Sequence, residues 1–135
     1  MTARAWRTVA LFGFAGIVIG SFLPWARIWV FTMVGTDGNG VFTLVLGGAG
    51  ALLLLTWTSL TGTLLAALCG LVALAVTVHG LATMDDLSRK INLFGIPLGL
   101  EAEAGQGLYL TFGSSALASA ACLVDVVAGR KRPVP

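Results

Sequence analysis

The sequence predicts a four-helix bundle embedded in a membrane and capped on one side by a small β-sheet. Three observations predict it. Four apolar stretches, at residues 6–25, 41–59, 60–84 and 107–128, each approach the ~20 residues a helix needs to cross a ~30 Å hydrocarbon core. Basic residues gather at one set of their ends. The two longer connections, at residues 26–40 and 85–106, carry β-branched, aromatic and glycine-rich sequence that suits extended backbone and turns. With 57% hydrophobic residues and a mean hydropathy of +0.95, nearly all of residues 1–135 belongs in or against a bilayer as one domain.

Charge sets the expected orientation. Arg4 and Arg7 precede the first span, and Arg130, Lys131 and Arg132 follow the last. The turn between spans two and three, residues 58–63, is uncharged. The two longer connections hold Asp37, Asp85, Asp86, Glu101 and Glu103 against Arg27, Arg89 and Lys90. The positive-inside rule then makes both termini cytoplasmic and the protein multi-pass in the plasma membrane. Trp6 and Trp57 fall at the inner boundary and Trp25 and Tyr109 at the outer one, where amphipathic rings favour the headgroup layer. A net charge of +2 is too small for a nucleic-acid binder, and its positive part suits anionic inner-leaflet lipid. Arg4 and Arg7 before an apolar run resemble a signal peptide. However, Ser21-Phe22-Leu23-Pro24-Trp25 lacks the small-residue cleavage pattern, so the first span is expected to be retained.

Taken in order, the first span carries Gly13, Gly16 and Gly20, small residues that let helix backbones approach closely in lipid. Pro24 stops it. Arg27-Ile28-Trp29-Val30-Phe31-Thr32-Met33-Val34 reads as extended chain, and Gly35-Thr36-Asp37-Gly38-Asn39-Gly40 as a dense turn. The second span contains Gly47-Gly48-Ala49-Gly50, and Ser59-Leu60-Thr61-Gly62 forms a tight inner turn, so spans two and three are antiparallel neighbours. Gly62, Ala66 and Gly70 make a four-residue stripe on the third span. Acids and bases four apart in Asp85-Asp86-Leu87-Ser88-Arg89-Lys90 continue that helix outward. Apolar residues alternate on both sides of Gly95 between Ile91 and Glu103, as in a hairpin, and both outer connections together supply about three antiparallel strands. The fourth span repeats the small-residue spacing with Ser114, Ala118 and Cys122. The helix-packing set is therefore Gly16, Gly20, Gly62, Ala66, Gly70, Ser114 and Ala118.

An internal repeat organises these elements. Gly38-Asn39-Gly40-Val41-Phe42 before span two matches Gly105-Gln106-Gly107-Leu108-Tyr109 before span four in residue class: glycine, carboxamide, glycine, aliphatic, aromatic. Each half then reads helix, extended outer loop, Gly-x-Gly, helix, a parallel repeat related by an axis along the membrane normal. Convergent turn chemistry at two loop-to-helix junctions is the alternative.

Little in the chain suggests catalysis. Cys69 and Cys122 lie within predicted spans and suit small buried positions. His79, the single histidine, cannot make a bis-histidine haem or a zinc site and is expected to hydrogen-bond a neighbouring helix or the outer cap. Asp125 sits near the inner end of span four, where Arg130 and Lys131 could snorkel toward it. Residues 8–23, 41–59 and 60–84 contain no Asp, Glu, Lys or Arg. That argues against an ion-coupled transporter, a charged selectivity filter and a membrane-embedded hydrolase. The expectation is no enzyme, no cofactor, no metal and no catalytic residue. The remaining candidate surface is the outer cap, with Arg27, Trp29, Phe31, Phe94, Glu101 and Glu103: either a protein contact of aromatics beside charges, or rings that fill the space between sheet and helices.

Leu23-Pro24-Trp25, Gly35-Thr36-Asp37-Gly38-Asn39-Gly40 and Gly105-Gln106-Gly107-Leu108-Tyr109-Leu110-Thr111 resemble the pattern of small four-helix actinobacterial membrane proteins. That resemblance implies fold and lineage, and no activity. The layout is also similar to the claudin type in having four helices, inside termini and an extracellular sheet, although the claudin cysteine pair in the first loop is missing here. These readings point to a non-catalytic accessory or scaffolding subunit of a larger plasma-membrane complex, in envelope-lipid transport or synthesis or in respiration. The alternative is a self-associating protein or pore that binds lipid or a small molecule, with Gly16, Gly20, Gly47 and Gly48 leaving space for it.

Overall fold

The computed structural model describes residues 3–28, 31–93 and 102–130, with side chains for 4–27, 31–86 and 103–129. Helix α1 (Ala3–Phe22) leads into strands β1 (Pro24–Ile28) and β2 (Phe31–Val34), then a 3-10 turn at Gly35–Asp37. Helices α2 (Gly40–Thr56) and α3 (Leu60–Leu93) follow, then strand β3 (Ala102–Ala104) and helix α4 (Gln106–Arg130). Each helix packs on its sequence neighbours, and α4 closes the ring on α1 through the most extensive helix interface.

Apolar composition with long runs free of charge makes the helices. Over Arg4–Phe22, Leu60–Asp86 and Gln106–Gly129 they are long and apolar enough to cross a membrane. Helix α2 is apolar but has 17 residues, about 26 Å at a 1.5 Å rise per residue. It stops at Thr56, so the expected span to residue 59 is three residues too long. The turn lies at Trp57-Thr58-Ser59, starting two residues before the expected Ser59-Leu60-Thr61-Gly62, because Ser59 caps α3: its Oγ accepts the Gly62 N–H at 3.3 Å.

The sheet has the order β2-β1-β3, antiparallel throughout, with two strands from the first outer connection and one from the second. Two expectations are corrected here. Extended chain begins at Pro24, before Arg27, because Pro24 fixes φ and ends α1 at Phe22. On the other side, Ile91, Asn92 and Leu93 are the last turn of α3 and not the first strand of a hairpin. The charged segment before them already runs as helix, and helix propagation carries through three more residues. Gly95 and the rest of the expected hairpin up to Glu101 lie outside the described residues.

The interior inverts the usual sorting of side chains. Phe14 and Ile17 are the largest residues at its centre; around them are Ala10, Ala66, Ala67, Ala73, Ala118, Ala121 and Cys122. Among the described residues the buried polar side chains are serines and threonines. Leucines and valines such as Val45, Leu52, Leu55, Leu68 and Val127 point outward. Small residues inside and large apolar ones outside are what helices need when lipid removes the hydrophobic drive between them.

Candidate functional site

Small-residue faces determine which helices meet. A methyl group placed on Gly13 would lie 2.8 Å from the Ala118 Cβ, and one on Gly16 or Gly20 would strike Ser114 Oγ or Thr111 Oγ1. As α1 numbers rise the α4 numbers fall, so the two helices run antiparallel. On the α1–α2 side, a methyl group placed on Gly47 would lie 2.9 Å from the Ile17 side chain, and Gly50 takes the Phe14 ring. A methyl group placed on Gly70 would lie 2.6 Å from Ser119 Oγ across α3–α4. Gly62 instead abuts Trp57 in the preceding turn, and Ala66 is fully buried in the core. The spaces expected at Gly16, Gly20 and Gly47 are thus filled by neighbouring helices, while Gly48 has open surroundings.

Hydroxyls inside the bundle are satisfied locally. Ser21, Thr111 and Ser119 donate to carbonyls four residues back, at 2.8, 2.7 and 2.8 Å. One pair crosses between helices: Thr43 Oγ1 and Ser21 Oγ lie 2.8 Å apart, and Ser21 accepts where its own proton goes to the Ile17 carbonyl. Among the described residues no buried side-chain nitrogen or oxygen lacks a partner. Among the described residues the middle of the bundle buries no charged side chain.

Trp25 joins the cap to the bundle. It was expected at the lipid boundary, yet it is only 7% exposed, and its indole N–H donates to the Gly20 carbonyl at 2.9 Å. The reason is that α1 ends in carbonyls without intrahelical donors, and Pro24 brings no N–H to satisfy them. Gly35 packs against the indole, and the Gly35 N–H reaches the Leu23 carbonyl at 3.2 Å. The Gly105 N–H donates to the Trp25 carbonyl at 2.7 Å, so the base of the sheet draws on both outer connections.

The candidate outer surface divides. Arg27 stands opposite Glu103 on β3 and Thr32 on β2. Paired residues of antiparallel strands share a face. Arg27, Thr32 and Glu103 therefore form one polar row, and the next row holds Ala26, Met33 and Ala104. Ala26 is buried, so that second face looks toward the helices. Phe31 and Met33 lie on this side but are 71% and 52% exposed, because β2 is the outer edge and overhangs the bundle. A shallow pocket of about 130 Å³ lies under the sheet between Trp25, Met33 and Gly80. Trp29, Phe94 and Glu101 lie outside the described residues.

A larger cavity, about 640 Å³, opens at the opposite end of the bundle. All four helices line it: Arg4 and Arg7 from α1, Leu54 and Leu55 from α2, Leu60 from α3 and Asp125 from α4. The Arg7 guanidinium donates to the Leu54 carbonyl and, at 3.2 Å, to the Trp57 carbonyl, closing the end of α2. Sequence reasoning used Arg7 only as a topology signal and missed this contact; a basic residue facing the end of another helix leaves no pattern along the chain. Asp125 is half-buried in the cavity wall. Arg130's side chain and Lys131, its expected partners, lie outside the described residues.

His79 is exposed, and among the described residues its ring makes no hydrogen bond to a neighbouring helix or to the cap, contrary to expectation. Cys69 and Cys122 are free thiols, Cys122 buried. Among the described residues no group of three His, Cys, Asp or Glu could hold a metal ion. Comparison with known protein families, curated proteins and solved structures finds no match to this chain.

Proposed function

We propose that this protein is a multi-pass plasma-membrane protein with four spans and cytoplasmic termini, acting as a non-catalytic accessory or scaffolding subunit of a larger membrane complex. The observation that carries the reading is the overhanging β2 strand. It leaves Phe31 and Met33 largely exposed at a sheet edge that no strand of the described residues covers. Uncovered apolar edges are surfaces to which partners add. The interior agrees, since among the described residues it buries no charged side chain along which ions or protons could move. Helix α2, at the short end of the spanning range, would cross with Trp57 at the inner headgroup layer. The matched glycine motifs before α2 and α4 support descent from a duplicated helix pair, and the sequence resemblance supports an actinobacterial lineage.

A second reading, a self-associating lipid-binding protein, is favoured by the cavity between Arg4, Arg7 and Asp125. Affinity purification of the tagged chain from its native membrane in a nanodisc-forming polymer separates the two. A stoichiometric larger partner, lost from a Phe31→Glu/Met33→Glu variant, supports the accessory role. Recovery of the chain alone or as a homo-oligomer with defined lipid supports the second reading and overturns the first.

A further inference from the structure

We propose that the cavity lined by Arg4, Arg7 and Asp125 binds a phospholipid whose headgroup carries both a phosphate and a primary ammonium. The inference rests on the membrane placement above and not on the accessory role. Its size of about 640 Å³ suits a headgroup with the start of its acyl chains. Its position at the helix ends puts it at headgroup depth, with Leu54, Leu55 and Leu60 as apolar wall.

The charges inside are arranged without cancelling one another. Arg7 spends Nη2 on the Leu54 and Trp57 carbonyls and not on Asp125, which holds its guanidinium in place with Nη1 and Nε free of partners among the described residues. Arg4 sits one helical turn earlier with an exposed side chain on the same cavity. Asp125, on the facing helix, has no hydrogen-bond partner among the described residues although it is half-buried. The site thus offers guanidinium donors from one wall and a carboxylate acceptor from another. A phosphate matches the first through paired, charge-assisted hydrogen bonds, and an ammonium matches the second. A headgroup of negative charge alone would leave Asp125 repelled, and a choline headgroup has no N–H to donate to it.

The test is native mass spectrometry of the full chain, extracted in gentle detergent and mixed with equimolar dioleoyl phosphatidylethanolamine, phosphatidylglycerol and phosphatidylcholine. Phosphatidylethanolamine should be retained about tenfold over the other two, the size of one charge-assisted hydrogen bond. Asp125→Asn should bring its ratio to phosphatidylcholine close to one, and Arg4→Gln should lower its retention about tenfold. Arg7 is left intact because it ties α1 to α2. Equal retention of the three lipids, preference for phosphatidylglycerol, or ratios unmoved by both variants would overturn the proposal. So would displacement of the lipid by soluble phosphoethanolamine at the same concentration, which would assign the cavity to a water-soluble ligand. Recovery of the chain in the soluble fraction would mean that the membrane placement fails; membrane recovery without lipid preference would mean that only the site fails.

Discussion

Arg7 of α1 and Leu54 of α2 are joined where α2 ends, the guanidinium donating to the Leu54 carbonyl and also to that of Trp57. Helix ends leave carbonyls unsatisfied, and a cation there also meets the negative end of the helix dipole. Arg7→Met keeps the apolar stem and removes the donors. It should lower stability by about 1–3 kcal/mol. Arg4→Met, whose parent side chain is exposed and makes no such contact, should change little. Thermal unfolding in one detergent compares the two; equal effects would mean that the Arg7 bonds do not hold the helix end.

Gly13 should be the least replaceable glycine of α1. Its absent side chain faces Ala118 Cβ and the Ala118 backbone nitrogen, both at 2.8 Å, which cannot rotate away. Gly16 faces the movable Ser114 hydroxyl. Gly13→Ala should therefore cost about 1–3 kcal/mol, with Gly16→Ala nearer the low end. Gly48→Ala and Gly113→Ala, in open surroundings, should be tolerated or mildly stabilising. Folded yield and melting temperature rank the four.

Trp25→Phe retains most of the ring and removes the donor to the Gly20 carbonyl. The loss should be about 1 kcal/mol, the net worth of one hydrogen bond, because the Gly20 carbonyl keeps the Leu23 N–H at 3.3 Å. If Trp25 sat in lipid the same change would be nearly neutral, so unfolding measurements discriminate between cap and belt.

Orientation is open to direct labelling. In a chain with Cys69 and Cys122 replaced by alanine, Thr32→Cys in the sheet should react with a membrane-impermeant maleimide on intact cells. Thr58→Cys, in the turn between α2 and α3, should react only after permeabilisation. The reverse pattern would invert the proposed topology.

Much of the architecture is written along the chain. Runs such as residues 60–84 are too apolar and too long for anything but a helix, and Pro24 has to end the first one. Extended chain in the first outer connection was legible from Arg27 to Val34, but its start at Pro24 and its division into two strands were not. Where α3 ends was less so, because Ile91-Asn92-Leu93 suits a strand or a helix equally, and continuation from the preceding turns tipped the outcome. The candidate surface was legible only as a set of residue types. Register puts Arg27 beside Glu103 and turns Phe31 to the other face, and a one-residue shift would exchange the faces.

Composition and periodicity thus suffice for helix number and the presence of a sheet, since these depend on local propensity, while helix ends such as those of α2 and α3 do not follow from them. The partners of each side chain depend on which helix faces come together. Gly13 meets Ala118, Arg7 meets the end of α2, Trp25 meets Gly20, and Arg4 and Asp125 arrive in one cavity from opposite ends of the chain. Those pairings follow from close packing of small-residue faces in three dimensions, a property that no single segment carries.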